Sequence, residues 1–216
     1  EIKKIINDGN LEINDDLEGR KDKTQIINLM GKSLIRNEKL TFLGYDIHIK
    51  PNLNTKIELS QEKINRYIER IKLSIETYNK DSKFNERFAR RMLLDRMKFL
   101  TGNFSLNHNK KNIKAGIYYS NQMLILNHGI FNSLNTLNSK MYHKFSSINP
   151  YPKIGINRAT LIEFLKSNFS FKDGFYDKEK NFYSFNFNIE EQEYYRKQFS
   201  RVTNKFEVIK SIWKNE

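Results

Sequence analysis

Few residues in this sequence of 216 residues have types and spacings that could hold a metal ion or move a proton. Asp15-Asp16 is the only adjacent pair of aspartates, and paired carboxylates can bind the metal ions used in phosphoryl transfer. The pair lies in the charged stretch 15–22, which is typical of a solvated loop. The four histidines are far apart and show no ligand spacing. We therefore predict no metal site within this sequence.

The run Phe42-Leu43-Gly44-Tyr45 is typical of a strand that meets a tight turn. A glycine in such a turn lets the backbone approach another chain closely, because it has no Cβ. Phe42 and Tyr45 could pack against that chain or could face the protein core. The pattern favours a core position for Leu43 and leaves Tyr45 open.

The net charge of +13 is unevenly distributed along the chain. Residues 1–59 carry 10 basic and 10 acidic residues, whereas residues 60–115 carry 14 basic and 6 acidic residues, a net charge of +8. A basic block beside a neutral one favours a polyanionic partner, with nucleic acid ahead of an anionic membrane surface. The alternative is a solvated, lysine-rich surface.

Several basic residues of this block fall on one face of a predicted helix, and more follow in the next loop. Such a helix could lie along phosphate groups. The alternative is a solvated face with intrahelical pairs such as Glu86–Arg90 and Arg91–Asp95. The candidate nucleic-acid-binding residues here are Arg87, Arg90, Arg91, Lys98, Lys110, Lys111 and Lys114.

Composition limits the classes of protein to which the chain could belong. The absence of cysteine excludes a disulfide framework and thiolate metal sites, and we expect a cytoplasmic protein. No run of about 18 apolar residues is present, so we expect no membrane partner. The sequence begins without Met in a helical pattern, and we interpret it as a piece of a longer protein.

We predict an α+β fold that is mostly helical. Residues 1–50 are mixed, with strands at Thr24–Leu29 and Leu40–Ile49, and the break at Pro51–Asn54 predicts a domain boundary. A helix capped by Ser60 and a second helix that begins near Ser82 follow. Their apolar positions recur at intervals of three and four. These positions are Ile64, Ile68, Ile71, Ile75 and Tyr78, then Phe84, Phe88, Met92, Leu93 and Met97.

The C-terminal part also has helical periodicity. Helices are predicted at Ile117–Leu126, Ile130–Phe145 and Asn157–Lys166, and a small strand is predicted within Asn181–Asn188. A long last helix is predicted from Phe199 to Trp213, with Val202, Phe206 and Ile209 on the same side.

Three segments, taken in order, resemble the end of the palm domain of reverse transcriptases. They are Leu11-Glu12-Ile13-Asn14, Lys23-Thr24 and Phe42-Leu43-Gly44-Tyr45. The first two match the family's motif D, and the third matches its motif E, the primer grip. The stretch 15–22 is longer than the usual spacer before the lysine.

Three later segments look like the C-terminal half of bacterial, defence-associated reverse transcriptases. They are Arg96–Asn103, Lys110–Asn112 and Gly116–Asn121. The resemblance implies an RNA-directed DNA polymerase of antiviral defence that extends a DNA primer on an RNA template with dNTPs. It implies Mg²⁺ as cofactor, held by carboxylates upstream of residue 1.

The resemblance also implies roles for particular residues and domains. Phe42, Leu43, Gly44 and Tyr45 would hold the primer 3′ end, and Lys23 would neutralise or protonate the leaving pyrophosphate. A solvated loop lysine is the alternative for Lys23. Residues 1–50 would end the palm, residues 51–128 would form an all-helical thumb that grips the template–product duplex, and residues 129–216 would form a helical C-terminal extension.

Two other classes of protein stay open. One is a non-enzymatic, helical nucleic-acid-binding module in which residues 42–45 form an ordinary core hairpin. The other is an interaction or oligomerisation domain that uses the last helix, Phe199 to Trp213, as an assembly surface. That helix could also bring together copies of a polymerase or hold a partner protein.

Overall fold

The computed structural model describes residues 38–49, 55–106, 113–126, 132–150, 157–198 and 204–213. Across these residues the protein is α+β and mostly helical, which confirms the predicted class. The chain divides into two compact units, Glu1–Ile57 and Glu58–Glu216. The motif D segments, with Lys23 and the predicted strand at 24–29, lie outside the described residues.

The described part of the first unit is built around a hairpin. Strands β1 (Glu38–Phe42) and β2 (Tyr45–Ile49) pair antiparallel, and β3 (Thr55–Leu59), within which the division between the two units falls, completes a sheet with the order β1-β2-β3. The predicted strand pattern over 40–49 is confirmed, with a turn in its middle. Strand β3 was not predicted, because the helical pattern of the residues after it dominated that region.

Helix α1 (Gln61–Thr101) is the longest element described. The Ser60 hydroxyl accepts a hydrogen bond from the Lys63 amide at 3.2 Å, which confirms the predicted N-cap. The helix is interrupted at Asn85, whose φ of −151° and ψ of 89° are not helical. Asn85 Oδ1 accepts from the Phe88 amide at 3.3 Å and so caps the second segment, three residues later than predicted.

Most of the predicted apolar positions of α1 are buried. Ile68 and Phe88 are half-buried, whereas Phe84 is 82% exposed, so the prediction that Phe84 faces inward is wrong. Phe84 directly precedes the break at Asn85, and the apolar periodicity of one helical segment does not continue into the other across this break. The predicted core positions that are buried are Ile64, Ile71, Ile75, Tyr78, Met92, Leu93 and Met97.

A second small sheet follows α1. Strand β4 (Asn103–Leu106) pairs antiparallel with β5 (Ile113–Gly116) and parallel with β6 (Phe182–Tyr183), in the order β5-β4-β6. The prediction that residues 51–128 are all helical is therefore wrong. The polar residues after 102 predicted a loop, but they include strand β4, whose Phe104 is buried in the core.

The prediction of a helix at 117–126 is also wrong. Residues 117–120 form turns, and a 3₁₀ helix, η1 (Gln122–Leu126), follows them. The helices predicted at 130–145 and 157–166 are confirmed as α2 (Asn132–Phe145) and α3 (Arg158–Asn168). A short helix, α4 (Phe171–Tyr176), follows, and the strand predicted within 181–188 is reduced to the two residues of β6.

The single long helix predicted at the C-terminus is wrong. Helix α5 (Ile189–Gln198) and helix α6 (Lys205–Lys210) are separate, and η2 (Ser211–Trp213) ends the described chain. Asn204 is extended, and its Oδ1 accepts from the Glu207 amide at 3.0 Å, so a new helix begins there. Phe199 and Val202 lie outside the described residues.

The apolar side of α6 and η2 packs inside the chain. Val208 and Ile209 are buried, and the Trp213 indole N–H donates to the Arg70 carbonyl at 3.2 Å. The Arg96 Nε donates to the Ile209 carbonyl at 3.4 Å. Burial lowers the pKa of the Arg96 guanidinium to about 10. Ile209 and Trp213 therefore do not form an exposed assembly surface.

Gly174 allows α4 to lie against the end of α1. A Cβ at this position would collide with the carbonyl oxygen of Thr101. The Gly174 carbonyl accepts a hydrogen bond from the Asn103 amide group at 2.8 Å. The absence of a Cβ at Gly174 thus allows α4 to lie close to α1, and the hydrogen bond joins α4 to Asn103, the first residue of β4.

We expect Gly174→Ala to lower the free energy of unfolding by about 2 kcal/mol or more, because backbone must move to admit the methyl group. Urea unfolding followed by circular dichroism measures this loss. Lys172→Ala, at an exposed position of the same helix, is the control and should change stability by less than about 0.5 kcal/mol. Equal stabilities for the two variants would contradict the packing described.

Candidate nucleic-acid interface

The hairpin between β1 and β2 closes with a loop of two residues. Phe42 and Tyr45 are register partners, so Leu43 and Gly44 form the loop. Their φ angles are +48° and +79°, the left-handed combination of a type I′ turn. Asn-Gly is the usual sequence there, and a leucine in this conformation costs about 1–2 kcal/mol. The turn therefore holds an unfavourable residue at its tip.

The tip of the hairpin is apolar and exposed. Leu43 is 74% exposed and Phe42 is 54% exposed, whereas Tyr45 is only 6% exposed. The expectation of a core position for Leu43 is therefore wrong, because the tight turn puts it beyond the last paired residues. Tyr45, which the sequence left open, is buried. Phe42, Leu43 and the Gly44 backbone can contact a ligand, while Tyr45 supports them from within.

A polar cluster holds the hairpin next to its tip. Asp46 is nearly buried and accepts from the Thr41 hydroxyl at 2.7 Å and from the Lys39 ammonium at 3.1 Å. Thr41 and Asp46 are register partners, so their hydrogen bond favours this pairing of the strands over a slipped one.

Two arginines of the predicted basic face share one carboxylate. Arg87 lies 3.0 Å from Glu190 Oε2, and Arg91 lies 3.7 Å from the same oxygen. The Arg91 guanidinium also lies over the Phe88 ring, 5.9 Å from its centroid. Glu190 therefore offsets part of the positive charge that this face would present to phosphates.

Arg90 belongs to a network around the break in α1. Its Nε lies 3.5 Å from Glu86, which confirms the Glu86–Arg90 pair predicted as an alternative. Glu86 is buried and also accepts from the Tyr78 hydroxyl at 3.3 Å. Burial and the nearby Glu86 charge raise the pKa of Tyr78, so its hydroxyl stays protonated and donates. Arg90 thus offsets the charge of the buried Glu86, next to the helix break at Asn85.

Lys98 lies 3.7 Å from Asp95, which is part of a nearly buried charge cluster. Lys205 of α6 lies 2.7 Å from Asp95 and 3.0 Å from Glu191 of α5. Asp95 therefore pairs with two lysines, and the Arg91–Asp95 pair that was predicted as part of the alternative is wrong. Two lysines and two carboxylates balance each other in this cluster.

The next predicted lysines fall in and after a loop. Lys110 and Lys111 lie outside the described residues, whereas Lys114 is exposed on β5. Its ammonium lies 5.7 Å from the ring centroid of Tyr119 and 5.9 Å from that of Phe182. A second lysine, Lys178, lies 4.5 Å from the Tyr118 ring. These are cation–π contacts on a part-exposed surface.

Phe182 and Lys178 were not identified from the sequence, because they lie far along the chain from Lys114. The distribution of charge in the sequence does indicate the surface near them. The stretch from Arg96 to Ile162 contains nine lysines and arginines and no acidic residue. Strands β4 and β5 and the tyrosines of the following turn lie within it, so their surface is locally rich in positive charge.

Within the described residues, no group of three histidine or carboxylate side chains could hold a metal ion. Nor does that part of the chain contain a helix long and apolar enough to cross a membrane. No protein-family model, curated protein or solved structure matches this chain. Its function is therefore inferred from the geometry above and from the motif resemblance.

We expect Glu190→Gln to release Arg87 and Arg91 for contact with phosphates. Affinity for a nucleic-acid duplex should rise at low salt, and the slope of log affinity against log salt should steepen by about 1 for each phosphate gained. Fluorescence anisotropy across a salt series measures both effects. Glu193→Gln, an exposed glutamate of the same helix, is the control for net charge. Equal changes in the two variants would show that the arginines do not face phosphates.

Proposed function

We propose that this chain is the part of an RNA-directed DNA polymerase that holds the primer end and the template–product duplex. The observation that carries the proposal is the tip of the β1–β2 hairpin. Phe42 and Leu43 are exposed there beside a glycine, in the segment that resembles the primer grip. The ordered motif D and motif E segments and the basic residues 60–115 add support.

The conformation of Leu43 favours contact with a ligand over a purely structural turn. Asparagine or glycine would satisfy its φ of +48° at lower cost, and neither would expose a large apolar side chain. Strained residues with exposed apolar surface are concentrated at binding sites. A primer terminus could pack on Leu43 and Phe42 while the Gly44 backbone approaches its sugar–phosphate chain.

The proposal places the rest of the polymerase chemistry outside this sequence. In the parent enzyme, carboxylates upstream of residue 1 would hold Mg²⁺, and dNTPs would extend a DNA primer on an RNA template. Lys23 would assist the departure of pyrophosphate. The parent would act in the cytoplasm of a bacterium, in defence against phage. These roles rest on the resemblance alone.

The second candidate is a nucleic-acid-binding module without polymerase activity. This candidate needs no primer grip and no catalytic carboxylates, and the basic residues 60–115 support it as much as they support the polymerase. The sequence of the full-length gene separates the two candidates. A Tyr-x-Asp-Asp turn shortly before residue 1 would support the polymerase, and its absence would favour the module.

The primer-grip role predicts a preference for recessed 3′ ends. The chain should bind a DNA primer annealed to a longer RNA template with steep salt dependence, and it should incorporate no nucleotide. Leu43→Asn should make the hairpin more stable, by about 1 kcal/mol, yet weaken this binding several-fold. Phe42→Ala should weaken it too. Anisotropy with a recessed-end hybrid and a blunt hybrid of equal length gives the comparison.

Phe84→Ala removes a phenylalanine that is also exposed but lies on α1, and it serves as the matched control. The proposal requires the hairpin variants to lose affinity for the recessed end more than for the blunt end, while the control loses neither. Absent binding, or equal losses on both hybrids, would refute the primer-grip role.

A further inference from the structure

The sheet β5-β4-β6 has one buried face and one face that is part exposed. Phe104 of β4 lies on the buried face, with its ring 4.6 Å from that of Phe99. Ser105 follows it and is the register partner of Lys114, so both side chains lie on the opposite face. Phe182 pairs with Asn103 and therefore lies on that same face.

This outer face joins aromatic rings to a cation. Phe182 is 36% exposed, and Tyr119 in the turn after β5 is part exposed. The two rings are 6.5 Å apart and nearly perpendicular, and the Lys114 ammonium lies within 6 Å of both. We call Tyr119, Phe182 and Lys114 the aromatic–lysine patch.

We infer that the aromatic–lysine patch binds an unpaired nucleic-acid strand, with bases stacked on Tyr119 and Phe182 and a phosphate held by Lys114. Rings on an open sheet face are a common platform for single strands, since every base has a π-face on which an aromatic ring can stack. Bases inside a duplex are already stacked, so the patch should not bind a blunt duplex. The inference does not depend on the proposed polymerase role.

Charge favours a nucleic acid over an apolar protein partner at this face. Lys114 and Tyr119 belong to a stretch of the chain that has nine basic and no acidic residues, from Arg96 to Ile162. Lys178 is flanked in sequence by Asp177 and Glu179, which offset its charge locally. Lys114 is therefore the cation on which the inference depends.

A cleft next to the patch could receive a base. Its volume is about 510 Å³, and Phe182 forms part of its wall. Ser105, Asn186, Gln192 and Asn204 also line it. Hydroxyl and amide side chains both donate and accept hydrogen bonds, so they can pair with the edge of any base. A nucleic-acid strand that stacks on Phe182 could therefore place its next base in this cleft.

Fluorescence anisotropy with single strands of about 12 nucleotides tests the inference on the whole chain. Oligo(rU) and oligo(dT) are the probes, and they show whether RNA or DNA is preferred. Tyr119→Leu with Phe182→Leu keeps apolar bulk but removes both π-faces, so affinity should fall by about tenfold or more. Lys114→Gln should lower affinity and reduce the salt slope by about 1.

Phe164→Leu with Lys166→Gln is the matched control, because both residues are exposed on α3, outside the patch. The inference requires this variant to bind as the unchanged chain does. Absent binding of both probes, an affinity unchanged by the leucine substitutions, or an equal loss in the control would overturn it. Whether the primer-grip proposal fails is measured separately by the affinity of the hairpin variants for the recessed-end hybrid, since these variants leave the patch intact.

Discussion

The packing of the helices in the larger unit depends on the ion pairs of one buried lysine of α6. Lys205 lies 2.7 Å from Asp95 of α1 and 3.0 Å from Glu191 of α5, so one ammonium joins three helices. Glu191 is itself fixed, because it forms a reciprocal capping box with Asn188 at the start of α5. Loss of one partner from such a cluster leaves an uncompensated buried charge and typically costs about 3–5 kcal/mol.

The packing of α5 and α6 against α1 determines which basic residues can contact a ligand. It brings Glu190 of α5 to Arg87 and Arg91, which are therefore partly neutralised within the protein. The outer face of β5-β4-β6 has a different balance, because Lys114 lies over aromatic rings and forms no ion pair with a carboxylate of the described residues. The strongest candidate surfaces are consequently the hairpin tip and the aromatic–lysine patch, and not the face of α1 on which four of the basic candidates lie.

Local signals in the sequence predicted much of the fold. The helix cap at Ser60, the start of α3 at Asn157 and the apolar period of α2 are short-range features, and each is confirmed. The errors have long-range causes. β4 and β6 pair across a long separation in sequence, and Phe84 precedes a break that only the Asn85 backbone reveals. The exposure of Leu43 depends on the turn type, which Leu-Gly in place of Asn-Gly obscured.

Photo-cross-linking followed by mass spectrometry tests most directly the claim that this chain holds nucleic acid at two defined surfaces. A primer–template hybrid with a single-stranded template overhang, carrying thio-substituted bases at the primer end and along the overhang, would be cross-linked to the intact chain. We predict adducts on peptides that contain Phe42 and Leu43 from the primer end, and on peptides that contain Tyr119 and Phe182 from the overhang. Adducts confined to α3, or none above a non-binding protein, would contradict the account.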